Sequence, residues 1–513
     1  MKSRKTGSIT IYMSLLLMVV ASLLFTLLEV SRYLALEMTA VINSQSVTES
    51  MFAEYHIPAY QNYHLFLMDS SYGSGQLLLS KVNQKMQELG QENLNPAVIG
   101  LGRYHNFLQM DVTDSSVVQY ELATDQHAEP LLRQISKLMK KEIAADLAEA
   151  AYQKITNVQE TGEQGKKADR YLDGAIDTIG QAKEEKEREN QQQFQMRSFR
   201  TGTDEAAGSE EDIENPMDPI KQAKNSPLLS QILSKDTKIS AKVISKQDAV
   251  EKRELNVGNF QGESVSVVSD KIMILQYLKK YMSNYKQQNN IPHALNYEQE
   301  YLLFGKSSDE ENLKKMASRL LLVREGINFA YLMTDHAKCE EAFAAATAIA
   351  AAAGIPAAVK AIQMGILASW AYAESIAEMR TLFEGGMAAS VKTSENWTVS
   401  LAEAALVPFQ TSVKSKEVQK GLDYEDYLQA FLAIESLKKI GERLANLLEK
   451  NFRLYAGYDQ IKMDHMITAM ETSHRYQARQ VFLTFVTIAR LSKKGYQYET
   501  LYRFSYTPEK DSE

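Results

Sequence analysis

The run Ser8–Leu28, SITIYMSLLLMVVASLLFTLL, contains no charged residue, and no other feature of the chain limits its architecture as much. At about 1.5 Å per residue, a helix over this run is about 30 Å long, which is the thickness of a bilayer's hydrocarbon core. Lys2, Arg4 and Lys5 precede it with no acidic residue among them, and Glu29, Arg32 and Glu37 follow it. That asymmetry predicts a cytoplasmic tail over residues 1–7, a transmembrane helix over 8–28 and an extracytoplasmic remainder. A cleaved secretory signal is the competing reading. The apolar run is longer than the roughly 7–15 residues of a signal's core, and no small-x-small site follows it directly. The chain instead continues without Gly or Pro to Tyr55, so an uncleaved signal anchor running into a long exposed helix over 29–55 is expected.

Beyond the anchor the pattern is α+β and predominantly helical. Residues 56–125 read as a small α/β region: a strand Tyr63–Asp69 ended by SSYGSG, a helix Ser80–Leu89, and strands Phe107–Asp111 and Val117–Leu122. Residues 128–195 read as a helical arm of coiled-coil type. It opens at Pro130, carries Leu131, Leu132, Ile135, Leu138 and Met139 at helical spacing, and ends in the polar QAKEEKERENQQQ. Residues 196–259 lack periodicity and are rich in Gly, Pro, Asp and Glu, which predicts a mobile linker.

Residues 260–506 read as a mainly helical domain, followed by an acidic tail over 507–513. Within it, Cys339–Ala353 is nearly all alanine, Gly354-Ile355-Pro356 interrupts it, and Ala357–Leu382 resumes a helix. Gly at the end of one helix and Pro at the start of the next predict an antiparallel hairpin whose small side chains allow close approach. A second membrane hairpin is the rival, but Lys360 and Glu374 would each cost about 2.5–3.5 kcal/mol inside a span. Val481–Ile488 and Tyr496–Tyr506, joined through SKKG, predict a terminal β-hairpin that extends the sheet begun at Tyr63–Asp69.

The search for chemistry predicts no catalytic residue, no cofactor and no metal site. Gly305-Lys306-Ser307 is the tail of a phosphate loop whose leading glycine is replaced by Glu300. Gly73-Ser74-Gly75 lacks nucleophile-elbow spacing, and Ser436-Leu437-Lys438-Lys439 matches SxxK without its companion motifs. Eight histidines are scattered with no HExxH or CxxC, and the pairs Asp335-His336 and Asp464-His465 are adjacent residues that would point to different faces of a helix. A net charge of −8 excludes a dedicated nucleic-acid binder. The single cysteine, Cys339, cannot form an internal disulfide and reads as a buried thiol. Trp370 and Trp397, the two tryptophans, flank the end of the alanine hairpin; they mark either an interaction surface or the core where hairpin meets domain.

Several segments carry a resemblance: Gly7-Ser8-Ile9-Thr10, Leu28-Glu29-Val30-Ser31-Arg32, Phe52-Ala53-Glu54-Tyr55, Tyr63-His64-Leu65-Phe66, the run Tyr297–Lys306, Arg324-Glu325-Gly326-Ile327-Asn328, and Leu422–Leu428. On these the chain resembles membrane-anchored proteins of Gram-positive anaerobes encoded beside tight-adherence (Flp-type) pilus genes, a family with no assigned activity. Its N-terminus is similar to pseudopilins of the TadE and TadG type. The resemblance implies pilin or pilus-platform proteins as partners, beside the membrane, and Gly7 as a possible processing site. Flp pilins carry glutamate at the fifth position after their cut, where this chain has Tyr12. The function expected is a non-enzymatic, extracytoplasmic, pseudopilin-like assembly or surface component. The alternative is a membrane-tethered cell-wall or peptide hydrolase, which needs carboxylates, or a nucleophile and base, converging on a cleft.

Overall fold

The computed structural model describes residues 6–95, 108–142, 162–201, 217–260, 268–482 and 495–507. Its labelled helices are α1 (Thr6–Ala53), α2 (Ile57–Tyr63), α3 (Leu79–Leu94), α4 (Asp125–Glu142), α5 (Gly162–Thr201) and α6 (Val268–Tyr281). They continue with α7 (Asp309–Thr334), α8 (His336–Ala353), α9 (Val359–Glu384), α10 (Tyr424–Ile434) and α11 (Leu437–Phe452). The strands are β1 (Met68–Asp69), β2 (Met110–Leu122), β3 (Met466–Ala478) and β4 (Tyr496–Ser505). The protein is α+β and predominantly helical, with one long N-terminal apolar helix, a small sheet and a C-terminal β-hairpin.

The chain divides into two compact units, and neither is contiguous. The first comprises Met1–Leu138, Gln247–Ser266 and Gly441–Glu513, and the second Met139–Lys246 and Val267–Ile440. The contiguous blocks expected at 56–125 and 260–506 are therefore corrected. The reason is the sheet of the first unit, whose central strand, β3, comes from far along the chain. β3 pairs antiparallel with β2 along one edge, from Met110↔Ala478 to Leu122↔Ile467. Its other edge takes β1 at Met466 and Ile467 and β4 from Ala469 to Ala478.

Several expected strands move. Tyr63–Asp69 is mostly not a strand, because α2 runs to Tyr63, opened by a proline in its first turn and by the His56 ring accepting the Ala59 N–H at 3.2 Å. Only Met68 and Asp69 remain extended. The two short strands expected around 107–122 are one 13-residue strand from Met110 to Leu122, with register shifts that absorb its polar middle. The hairpin's first arm is Met466–Ala478 rather than Val481–Ile488, and residues 483–488 lie outside the described residues. β3 lacks an unbroken apolar face, because between the buried Met470 and Ala478 come the buried Thr472, His474 and Tyr476.

Those polar positions meet helix α1, which continues helically to Ala53 but is exposed on one side only. Its inner face carries Leu36, Ala40, Asn43, Ser44, Val47, Thr48, Met51 and Phe52. The spacing of roughly three to four residues keeps them on one stripe. Ser44 Oγ lies 2.7 Å from the Tyr476 hydroxyl, Thr48 Oγ1 lies 2.8 Å from Thr472 Oγ1, and Asn43 donates to the Gly90 carbonyl of α3 at 3.1 Å. Around this seam, Val47, Met51, Phe52, Val82, Met86, Leu122, Ile467 and Met470 form an apolar core.

The expected linker is also corrected. Asp218–Asn225 and Leu228–Ile232 are short helices with Ile220, Ala223, Leu229 and Ile232 buried. Residues 247–260 are tied into the first unit: the Asn446 side chain accepts the Val250 N–H at 3.3 Å, and Arg253 forks onto Glu449 at 2.7 and 2.6 Å and reaches Asp464 at 2.5 Å. Residues 202–216 lie outside the described residues.

The second unit is built around α9, in which every residue from Ile362 to Phe383 is buried. An all-round buried helix must be enclosed by others. Here α5 and α7 pack against α9 and against each other, with α8 alongside α9. The helical arm is thus not a free coiled coil: Ala168, Leu172, Ala175, Ile176 and Ile179 of α5 are buried in this bundle. Gly365 allows the crossing, since a Cβ there would lie 2.3 Å from Ala175 Cβ. The alanine hairpin forms as expected, with Gly354 at φ 75° closing α8 and a 3₁₀ turn at Pro356–Ala358 leading into α9. Cys339 is half-buried rather than buried, and its Sγ donates to the Leu332 carbonyl at 3.1 Å.

Candidate functional site: the anchor helix and its junction

From Ile9 to Val20 every residue of α1 is exposed, including Ile9, Ile11, Leu15, Leu17, Val19 and other large apolar side chains. Among the described residues this is the one helix long and apolar enough to cross a membrane. An exposed apolar surface of that size has no aqueous solution; it needs lipid or protein. The hydroxyls in the run are satisfied internally. Ser14 donates to the Ile11 carbonyl at 2.9 Å, Ser22 to Val19 at 2.9 Å and Thr26 to Ser22 at 2.7 Å. That back-bonding lets Ser and Thr sit on a helix in hydrocarbon. Gly7 lies in the first turn of the same helix.

At the end of the run the helix is locked to the sheet. Glu29 and Arg32 are both buried and pair at 2.9 Å. The second oxygen of Glu29 accepts the backbone N–H groups of Val481 and Phe482, at 3.3 and 2.7 Å, and Arg32 also donates to the Leu108 carbonyl. Phe25 stacks on Phe482 with ring centroids 6.4 Å apart, and Tyr33 meets Tyr496 and Tyr498 at 5.4 and 5.6 Å. The sequence treated Glu29 and Arg32 only as flanking charges. The available signal was their i, i+3 spacing in register with Leu36 and Ala40, which puts both on the face that packs.

The charged groups of the second unit are arranged differently. Arg324 of α7 forks onto Glu378 of α9 at 2.8 and 2.6 Å and donates to the Ala389 carbonyl and the Tyr427 hydroxyl, each at 2.9 Å. Lys392 lies 2.6 Å from Glu374 and 2.7 Å from Glu378, and Asn328 donates to Glu378 at 2.8 Å. Burial raises the Glu374 carboxyl above its ordinary value against the pull of Lys392. Burial also opposes ionisation of Glu378, but Arg324 and Lys392 outweigh it and hold that carboxyl low. Both carboxylates meet cations inside the core: Glu378 holds α7 to α9, and Glu374 holds α9 to the segment that carries Lys392, Thr398 and Val399.

The sequence-singled residues fall into structural roles. Trp370 and Trp397 are buried, edge to face at 5.7 Å, and both indole N–H groups donate to the Val399 carbonyl, at 2.7 and 2.6 Å. An interaction surface there is corrected to core packing, because a docking residue must reach solvent. Gly305 closes the short helix Glu298–Phe304, and Lys306 donates its N–H to Asn312 at 2.9 Å, so Gly305–Ser307 is a helix–helix connection. Asp335 caps α8 by accepting the Lys338 N–H at 3.2 Å, and Asp464 serves Arg253. The second pair sits on a 3₁₀ turn, not a helix. No cluster of three or more His, Cys, Asp or Glu side chains among the described residues could hold a metal ion.

Comparison with curated proteins and with solved structures finds no match to this chain. A family model does match, over residues 206–478, a stretch that holds β3 and most of the second unit but neither α1 nor β4. With more than half of its length matched, the chain belongs to the family of unknown function DUF5702.

Proposed function

We propose that this protein is a single-pass, membrane-anchored, non-enzymatic component of a cell-surface assembly, with its folded units on the extracytoplasmic side. The observation that carries the reading is the span-length helix with no protein around its first turns, fixed at its far end to a folded sheet. Sidedness follows from Lys2, Arg4 and Lys5 before the apolar run. The assignment to a tight-adherence (Flp-type) pilus or secretion system, as a pseudopilin-like assembly or surface component, rests on the resemblance in the sequence. The hydrolase alternative needs acidic groups open to substrate, and the engagement of Glu374 and Glu378 by Lys392 and Arg324 speaks for a scaffold instead.

The test has two parts. Protease added to intact cells should digest the folded units and spare the N-terminal segment; protection of the bulk of the chain overturns the topology. Affinity capture of the chromosomally tagged protein should recover a pilin or platform protein. Capture without either, from cells assembling pili, overturns the pilus role.

A further inference from the structure

The covering of α1 begins inside the apolar run, not after it. Ala21, Ser22 and Phe25 are half-buried where Ile9–Val20 are exposed, and they share the face of Glu29 and Arg32. At Phe25 and Glu29 the chain leaving β3 supplies the cover, with Phe482 against Phe25 and the Val481 and Phe482 N–H groups on Glu29.

The edge of the hydrocarbon can lie in two places. If lipid ended where the covering begins, residues 8–20 would provide about 20 Å of apolar helix, roughly a third less than a bilayer core requires. Lys5 and Arg4 block extension at the other end. If lipid ends at Leu28 the length matches, and Phe482 is then inside the membrane. Tyr33, five residues past Leu28, stands about 7 Å higher, in the headgroup layer where tyrosines concentrate. The charges at this level are paired: Glu29 and Arg32 neutralise each other, and the freed N–H groups of Val481 and Phe482 have Glu29 as acceptor.

We propose that the folded unit touches the bilayer at a second point, with Phe482 seated in hydrocarbon beside Phe25 and Tyr33, Tyr496 and Tyr498 forming an aromatic collar at the headgroups. The partner is the lipid bilayer itself. A span gripped by the sheet and a second contact beside it fix the tilt of the unit on the membrane, which an anchor on a free stalk does not.

This inference rests on the membrane-anchor reading, and the experiment separates the two. Full-length protein carrying Phe482→Trp is reconstituted in phosphatidylcholine–phosphatidylglycerol vesicles whose lipids are brominated either near the headgroup or near the chain end. The emission of Trp370 and Trp397, buried in the second unit, is subtracted using unsubstituted protein. The introduced indole should emit at shorter wavelength than in water and lose most of its emission to the shallow bromines. Protein that floats with the vesicles while this indole is unquenched by either lipid overturns the second contact and leaves the anchor standing. Protein that does not float with the vesicles overturns both. Tyr498→Trp carries the test if Phe482→Trp fails to fold: loss of emission to the shallow bromines is expected, and unchanged emission overturns the proposal.

Discussion

Two helix seams in this molecule solve the same problem with different chemistry. Between Leu36 and Phe52, α1 meets the sheet through neutral hydrogen bonds: Ser44 with Tyr476, and Thr48 with Thr472 and, at 3.3 Å, with the His474 ring. The seam between α7 and α9 is held by full charges, Arg324 against Glu378, with Lys392 from the segment after α9 bridging Glu378 and Glu374. A neutral bond contributes modestly and is lost modestly, whereas a buried ion stripped of its partner leaves an uncompensated charge. The first seam should therefore tolerate substitution and the second should not.

The sharpest way to break that contrast is Arg324→Met. It leaves Glu378 and Glu374 sharing Lys392, and removing one partner of a buried pair costs roughly 3–5 kcal/mol. Denaturant titration or hydrogen exchange of the second unit should show the loss; a change within a few tenths of a kcal/mol would mean the charges are solvated after all.

A change of pH should drive the two units in opposite directions. In the first unit, burial holds His56 and His474 down to about 4, so both are neutral in the fold. The unfolded chain binds more protons between pH 4 and 6.5, and each histidine makes the first unit roughly 2 kcal/mol less stable at pH 5 than at pH 7. Below pH 4 the loss levels off. In the second unit, burial pushes Glu300 up to about 7, and also Glu325, the latter against the pull of Lys224. There the folded state binds more protons between pH 4.5 and 7, so each carboxyl makes the second unit roughly 2 kcal/mol more stable at pH 5 than at pH 7. Peptide-resolved hydrogen exchange at the two pH values reads both slopes at once. Slopes of the same sign would remove the contrast.

The smallest effect is expected from Thr48→Val. It keeps the shape of the side chain and removes the neutral contacts of its hydroxyl to Thr472 and His474, for a loss of roughly 1 kcal/mol by denaturant titration. A loss as large as that of Arg324→Met would show that the α1–sheet seam is also a high-stakes network.

What the sequence disclosed follows the same division between local and distant causes. The span-length apolar helix was legible because every residue from Ile9 to Val20 is exposed and reports the same environment. The α8–α9 hairpin was legible because Gly354 and Pro356 each act within one turn of their own position. Residues 247–260 were misread because their order comes from Glu449, Asn446 and Asp464, about 200 positions away. β3 was missed because the buried side chains of its second half, Thr472, His474 and Tyr476, match polar groups of α1 rather than any apolar template. The junction at Glu29 was hidden for the same reason, as its partners Val481 and Phe482 contribute only backbone.

The position of β3 between β2 and β4 has a consequence for biosynthesis. Until the ribosome has released the chain through Ala478, β2 has no strand to pair with, although α1 has been available to the bilayer since early in translation. For most of its synthesis the nascent protein therefore holds an open edge. Closing so distant a contact is slow, and an unpaired edge invites other strands. Truncation anywhere before residue 466 should therefore leave a fragment prone to aggregate through β2.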